Sequence, residues 1–416
     1  YDAGSNWYTI TDDLSRDTRY KMAGAAVAGI KLPGSTSEDI SFTYTSGKVT
    51  AVTTPAGTTS YARSDSAGQR TVTVTHPLSR VETYVFDIAS RRLKSYTDPV
   101  GKTTTYQYDG NGRVTRITAP EGNQVRYTYD SRGNVTEQRM VAKTAGSPPD
   151  IVTTAGYDSS CSNPVKCNSP NWTKDALGKQ TDYTYDATHG GVLTVTGPAP
   201  STGAARPQVR YSYSSYQAYY KHGSTSPTAS GVPVYRMTQV STCISGSSCT
   251  GTADEVKTTV SYGPQTSGTG NNLLPVSVTK QSGDGSLTAT TAMSYDAVGN
   301  LVSVDGPLSG TADTTVVRYD ALRRKVGTIG PDPDGGGALK NPAQRITYNT
   351  RGQVTLSEEG YTAGQTDAAW TGFTAGASVE STYTASGQVE TSTTKNGSTV
   401  YALTQYGYDA AGRLQC

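Results

Sequence analysis

The chain has 416 residues, 36 basic against 34 acidic, for a net charge of +2. That balance gives no electrostatic footing for nucleic acid or an anionic membrane, and no apolar run of ~18 residues exists to span a bilayer. With Gly counted and Tyr left out, the apolar share is about 38%, below the ~45–50% of an ordinary domain, which argues against a thick aliphatic core.

The first residue is Tyr1, which reads as a fragment or processed product. The most apolar short stretch, residues 23–30, is too short and too Gly-rich to cross a membrane. From about residue 40 a pattern sets in. Phe42-Thr43-Tyr44 with Gly47-Lys48-Val49 and Tyr84-Val85-Phe86-Asp87 are degenerate copies. Tyr106-Gln107-Tyr108-Asp109-Gly110-Asn111-Gly112-Arg113-Val114 and Tyr127-Thr128-Tyr129-Asp130-Ser131-Arg132-Gly133-Asn134-Val135 are full ones. It returns at Tyr183-Thr184-Tyr185-Asp186, at Tyr295-Asp296 with Gly299, at Tyr319-Asp320, at Tyr348-Asn349 with Gly352, and at Tyr406-Gly407-Tyr408-Asp409 with Gly412. The aspartates at 65, 87, 109 and 130 fix a period of 21 to 22 residues, which stretches to 24 between 296 and 320. Self-similarity at a fixed period signals a repeat array.

Each part of the unit has a physical job. Tyrosines two apart put both rings on one face of a strand. Aspartate starts a turn by accepting backbone N–H bonds two residues on, and glycine three residues later takes the left-handed conformation that ends it. The following residues, such as Arg113-Val114-Thr115-Arg116-Ile117, alternate polar and apolar and form the return strand. A second turn, as at Asp98-Pro99-Val100-Gly101 or Asp175-Ala176-Leu177-Gly178, closes the unit. One hairpin is marginal in water, so neighbours must stack side by side and join their tyrosines into a ladder. The expected fold is all-β: antiparallel hairpins of about 21–24 residues in a single array over residues 1–416, coiling by the ordinary twist of strands.

Stretches near 142–175, 197–258, 263–290, 330–345 and 357–380 break the period and read as loops inserted at hairpin ends. Two carry cysteine pairs of equal spacing, Cys161 with Cys167 and Cys243 with Cys249. Two local disulfides are expected there, with Cys416 left over, and oxidised pairs imply a secreted or cell-surface location. Reduced thiols are the alternative. A zinc site does not fit this spacing, and no other metal and no cofactor is expected. Tyr213, Tyr216, Tyr219 and Tyr220 crowd one insertion. They read either as an aromatic platform for a sugar or partner, or as a loop packing on the sheet. Trp7, Trp172 and Trp370 carry the same two readings.

The string Tyr-x-Tyr-Asp-x-x-Gly-Arg/Asn-Val/Leu, found in residues 106–114, 127–135 and 406–414, resembles the YD repeat of RHS proteins. These include bacterial polymorphic toxins, the shells of insecticidal toxin complexes, and teneurins. The resemblance implies a β-strip spiralling into a hollow shell or solenoid that encloses a toxic domain of the same longer chain. It also brings an autoproteolytic core with paired Asp-Pro-x-Gly motifs. Here Asp98-Pro99-Val100-Gly101 sits in register as a repeat turn and Asp332-Pro333-Asp334-Gly335 lies in an insertion. Neither is expected to cleave.

No Gly-x-Ser-x-Gly elbow, His-Glu-x-x-His or phosphate loop is present, and His76, His189 and His222 stand apart. The favoured function is a non-catalytic wall segment of a toxin-enclosing shell. The alternative is a surface fibre whose copies adjoin and whose aromatic loops bind glycans or other cells. An enzyme rests only on abundant carboxylates.

Overall fold

The computed structural model describes residues 6–144, 146–223, 225–244, 248–409 and 412–416. The sheet is antiparallel and open: thirty strands join it, and two more form a separate ribbon. The chain divides into two compact units. One is Tyr1–Thr103 with Leu308–Cys416, and the other is Thr104–Pro307.

Within each unit a strand pairs with the next strand in sequence. The hairpin of Gln124–Tyr129 and Val135–Val141 shows how the repeat does this. Six residue pairs run from Gln124↔Val141 to Tyr129↔Val135, with a bulge between Thr128 and Tyr129. The same bulge stands before Tyr44, Tyr185, Tyr213, Tyr262, Tyr295, Tyr348 and Tyr383. A bulge adds local twist, so the second tyrosine of each motif is where the strip bends. The turn follows at once. Asp130 Oδ1 accepts the N–H groups of Arg132 and Asn134, both at 2.9 Å, and Oδ2 accepts Asn134 Nδ2 at 2.8 Å. Gly133, at φ 95°, donates its N–H to the Asp130 carbonyl at 3.1 Å.

The second turn of the unit repeats this chemistry. Asp98 Oδ1 accepts from Val100 and Lys102, and Asp175 Oδ1 accepts from Leu177 and Lys179. Asp98-Pro99-Val100-Gly101 is thus a turn like its neighbours, with its carboxylate occupied.

Two expectations need correcting. Hairpins begin before residue 40, with strands Trp7–Thr11, Asp17–Ala23 and Ala26–Lys31. The insertions are also narrower than the spans 142–175, 197–258, 263–290, 330–345 and 357–380. Strands Ile151–Gly156, Gln208–Tyr216, Val234–Cys243, Pro275–Ser282, Asn341–Tyr348 and Thr374–Tyr383 run through them. Gln208–Tyr216, Val234–Cys243 and Pro275–Ser282 are not followed by a Tyr-Asp-x-x-Gly turn, and the Ser and Thr in them blur the alternation, while Asn341–Tyr348 starts well before the degenerate copy in which it ends.

The interior is thin. Among the described residues the buried apolar side chains are Val74, Cys167, Cys249, Leu273, Ile329 and Ala343, while Asp39, Ser241, Glu255, Asn271, Asn341, Glu358 and Thr362 are buried polar ones. Tyrosine, valine and isoleucine half-cover one face of a strand, as in the exposed–intermediate alternation of Thr103–Tyr108. The other face carries Thr–Thr pairs such as Thr184 with Thr194 and Thr279 with Thr290. With so little buried hydrocarbon, cohesion rests on hydrogen bonds between neighbouring hairpins.

Candidate functional site

The junction between hairpins is where the motif does its work. Pairing between Val114–Thr118 and Gln124–Tyr129 covers only Arg116↔Arg126 to Thr118↔Gln124. Beyond that, Val114 has no register partner on Gln124–Tyr129. The Tyr129 hydroxyl donates to the Val114 carbonyl at 2.7 Å. Tyr44, Tyr157, Tyr185, Tyr213, Tyr262, Tyr295, Tyr348, Tyr383 and Tyr408 each donate in the same way to a main-chain carbonyl 17 to 29 residues back, or 15 for Tyr185. Burial raises the pKa of Tyr129, Tyr157, Tyr185, Tyr213, Tyr262 and Tyr295. This bond gives ten of the 29 tyrosines a task that none of the 3 phenylalanines could perform. Phenylalanine would cover the same area and leave the carbonyl bare.

Of the expected ladder, Tyr129, Tyr185, Tyr295, Tyr348 and Tyr408 make this bond. Tyr108 and Tyr319 occupy the same bulge position in their own hairpins. Tyr106, Tyr127, Tyr183 and Tyr406 are the first tyrosines of their motifs. Tyr127 lies 6.4 Å from Tyr129 between ring centroids, and the Tyr183 hydroxyl is 3.2 Å from Thr173 Oγ1. The ladder is therefore held by hydroxyl-to-carbonyl bonds more than by stacking of rings.

The turns are tied to one another as well. Asp109 binds Arg113 twice, through the backbone N–H at 2.9 Å and through Nε at 2.6 Å. The backbone bond from Arg113 is the chief cause that holds Asp109 below the usual carboxylate range. Arg113 then reaches on to the Asp130 carbonyl at 2.9 Å and lies 4.7 Å from the Tyr129 ring centre. Gln353 Nε2 bonds the Gly387 carbonyl at 3.0 Å, and Gln388 Nε2 bonds the Gly412 carbonyl at 2.6 Å. The residue after the turn glycine thus links one hairpin end to the next. The turns at Asp296–Gly299 and Asp409–Gly412 close like the others.

In the unit formed by residues 1–103 and 308–416, opposite edges of the strip meet. One edge consists of second-type turns, at residues 12–16, 32–39 and 55–56, and the other of motif turns at 349–352 and 384–387. Arg351 Nη2 binds Asp39 Oδ1 and Ser35 Oγ, each at 2.7 Å, across 312 and 316 residues. Arg16 Nη1 binds the Thr350 carbonyl at 2.8 Å across 334 residues. Asp39 is buried, and its other oxygen accepts the Leu32 N–H. Leu32, Ile40, Pro55, Ala56 and Ala385 line a cavity along this seam. The seam had no signal in the sequence, since its partners lie more than 300 residues apart.

The insertions fold back onto the sheet. Both disulfides form, Cys161–Cys167 and Cys243–Cys249, and Cys416 is free and exposed. Cys243, Cys249 and Asp254 are the one group among the described residues with metal-ligand spacing, and both sulfurs are already bonded. Trp172 lies on the bare backbone of Gly156, and Trp370 on that of Gly327, where a side chain would collide with the indole. Trp7 carries Lys31 over its ring at 5.6 Å. Of the tyrosine cluster, Tyr213 bonds Val192 and packs against His189, and Tyr216 meets the Tyr262 ring edge-on at 5.3 Å. Tyr219 pairs with Ala229 in the ribbon and bridges to Asn271, and Tyr220 is 52% exposed. His76 lies 3.6 Å from Glu82, which also accepts the Tyr84 hydroxyl; that bond is the main cause that pushes the Tyr84 pKa up to about 12.

Comparison with known proteins fits this geometry. The RHS Repeat family model matches residues 92–124 and 108–145. No curated protein matches the chain by sequence. Among solved structures, the crystal structure of TcdB2-TccC3-Cdc42 is similar over 96% of this chain and 22% of its own, at 14% identity and a TM-score of 0.53. The crystal structure of TcdB2-TccC3-TEV matches over 98% of this chain and 23% of its own, at 12% identity and a TM-score of 0.41. The chain therefore spans less than a quarter of those chains, 22% and 23%. At 14% identity the likeness to the first is one of fold. The chain thus carries RHS (YD) repeats at residues 92–145, with the same tyrosine-and-turn hairpin on either side of them.

Proposed function

We propose that the chain is a wall segment of an RHS-type shell, a non-catalytic scaffold that encloses a toxin or effector domain of the same longer polypeptide. The observation that carries this is the seam at Arg351, Asp39 and Arg16. Within the unit of residues 1–103 and 308–416 two turn edges are held together across 312 to 334 residues of chain, a contact for which an extended fibre has no need. The thin interior supports the same reading, because a wall needs two wetted faces and little buried hydrocarbon. Two disulfides support assembly in an oxidising, extracellular setting. Among the described residues no helix is long and apolar enough to cross a membrane.

The test is protection. The natural gene product containing this chain is treated with a broad protease, and fragments are followed by mass spectrometry. An enclosing wall leaves a non-repeat domain intact until the repeat array itself is cut. Digestion of that domain at the rate of its free form would count against enclosure.

A further inference from the structure

We propose that Arg116 and Arg126 form a binding site for one oxyanion, a carboxylate or sulfate, on the polar face of the unit Thr104–Pro307. Arg116 stands directly opposite Arg126, and Arg126 directly opposite Arg139, in the strand register. Three guanidinium groups therefore line up across three adjacent strands, with ~5 Å between opposed Cβ atoms. Like charges placed directly opposite one another destabilise a sheet.

The third arginine is compensated. Arg139 is paired with Glu137 at 2.9 Å and with Asp150 at 3.1 Å. The other two are not: among the described residues neither Arg116 nor Arg126 has a carboxylate partner. Both nitrogens Nε and Nη2 of Arg116 bond Gln107 Oε1, and Arg126 Nε bonds Gln124 Oε1 at 2.9 Å. A neutral amide orients each guanidinium fork without cancelling its charge. Arginines just after a turn glycine position can be neutralised within their own turns, as Arg113 is by Asp109 and Arg324 by Asp320. An oxyanion seated between the two forks would supply the missing charge through paired N–H donors, the geometry for which guanidinium is best suited. Thr118 pairs with Gln124 beside the row and adds a hydroxyl to the polar surround.

Isothermal titration of the whole chain at fixed ionic strength tests this, with sodium sulfate in one arm and triglutamate in the other against a chloride background. The expected result is saturable binding of at least one probe with a stoichiometry of one. Arg116→Gln and Arg126→Gln should each weaken it tenfold or more, while Arg63→Gln, on an exposed strand of the other unit, leaves it unchanged. The responding arm identifies the ligand as a free inorganic anion or a peptide carboxylate. Should either glutamine variant melt early, Arg126→Lys decides. It keeps the charge without the fork and should bind at least threefold more weakly. Non-saturable uptake of both probes, or binding that survives these substitutions, overturns the proposal.

Discussion

Two stretches of the unit Thr104–Pro307 solve the same problem differently. In residues 124–141 the hairpin is built by the motif alone: Asp130 folds the turn, Gly133 ends it, and Tyr129 ties it to the hairpin before. In residues 208–282 the strands Gln208–Tyr216, Val234–Cys243, Glu255–Tyr262 and Pro275–Ser282 are joined by long loops with no aspartate–glycine turn of that kind. There a disulfide and a buried cluster take over. Glu255 accepts Ser241 Oγ at 2.5 Å and the Gly251 N–H at 2.8 Å, and lies 3.5 Å from Arg210. The tyrosine bond persists in both, since Tyr262 still donates to the Met237 carbonyl at 2.8 Å. The turn is therefore replaceable, and the hydroxyl between hairpins is the common element.

Glu255 gives the largest expected effect and tests whether the cluster has really replaced the turn. Its side chain is only 3% exposed. Glu255→Ala removes the acceptor of the Ser241 hydroxyl and the carboxylate beside Arg210, at a cost of about 3 kcal/mol. Urea denaturation should show the loss. The pH dependence has a definite sign. The Ser241 hydrogen bond is the main cause that holds Glu255 below its usual pKa. Its contribution is thus present above the unfolded value of ~4.3 and fades as pH falls through the folded one. An acid limb as steep in the alanine variant as in the wild type would refute this assignment.

The disulfides come next. Each closes a loop between cysteines six apart, for which chain entropy predicts a stabilisation of about 2 kcal/mol. Replacing Cys243 and Cys249 with serine should loosen residues 248–254 and, through Glu255, the adjoining strands. Replacing Cys161 and Cys167 should affect mainly the loop at 157–171. Amide exchange resolved by peptide distinguishes the two; equal deprotection around both sites would erase the contrast.

The shared element comes third. Tyr129→Phe and Tyr262→Phe each remove one hydroxyl bond and should cost about 1 kcal/mol, with most of it arising from the bared carbonyl. Tyr127→Phe, at a first-tyrosine position, should cost less than either. If Tyr262→Phe were neutral while Tyr129→Phe was not, the tyrosine bond would be dispensable wherever a disulfide is present.

These outcomes bear on what a sequence discloses. The hairpins were legible because each feature is local: tyrosines two apart, an aspartate, and a glycine three further on. The cysteine pairs were legible for the same reason. The role of the tyrosine hydroxyl was not, since its acceptor is a backbone carbonyl, which any residue supplies. Val114, Pro170, Met237 and Lys325 all serve. Nor could the seam be foreseen, because Asp39 and Arg351 look like ordinary loop residues until the strip brings them together.

The smallest effect concerns the turn itself and carries a sign that propensity alone would miss. At Asp320-Ala321-Leu322-Arg323-Arg324 the glycine position is held by Arg323, at φ 61°. The turn is otherwise complete: Asp320 accepts from the Leu322 and Arg324 backbones, and the Arg323 N–H bonds the Asp320 carbonyl at 2.9 Å. A side chain in the left-handed region costs roughly 1–2 kcal/mol. Glycine escapes that cost but adds freedom to the unfolded chain, worth about 0.5–1 kcal/mol. Arg323 is exposed, so little packing is lost on removing it. Arg323→Gly should therefore stabilise the protein by about 0.5 kcal/mol, and Gly133→Ala, the reverse change at φ 95°, should destabilise it by more. Paired urea midpoints decide between the two signs. A loss of stability in Arg323→Gly would mean that the arginine side chain holds the turn by a contact stronger than the backbone strain it imposes.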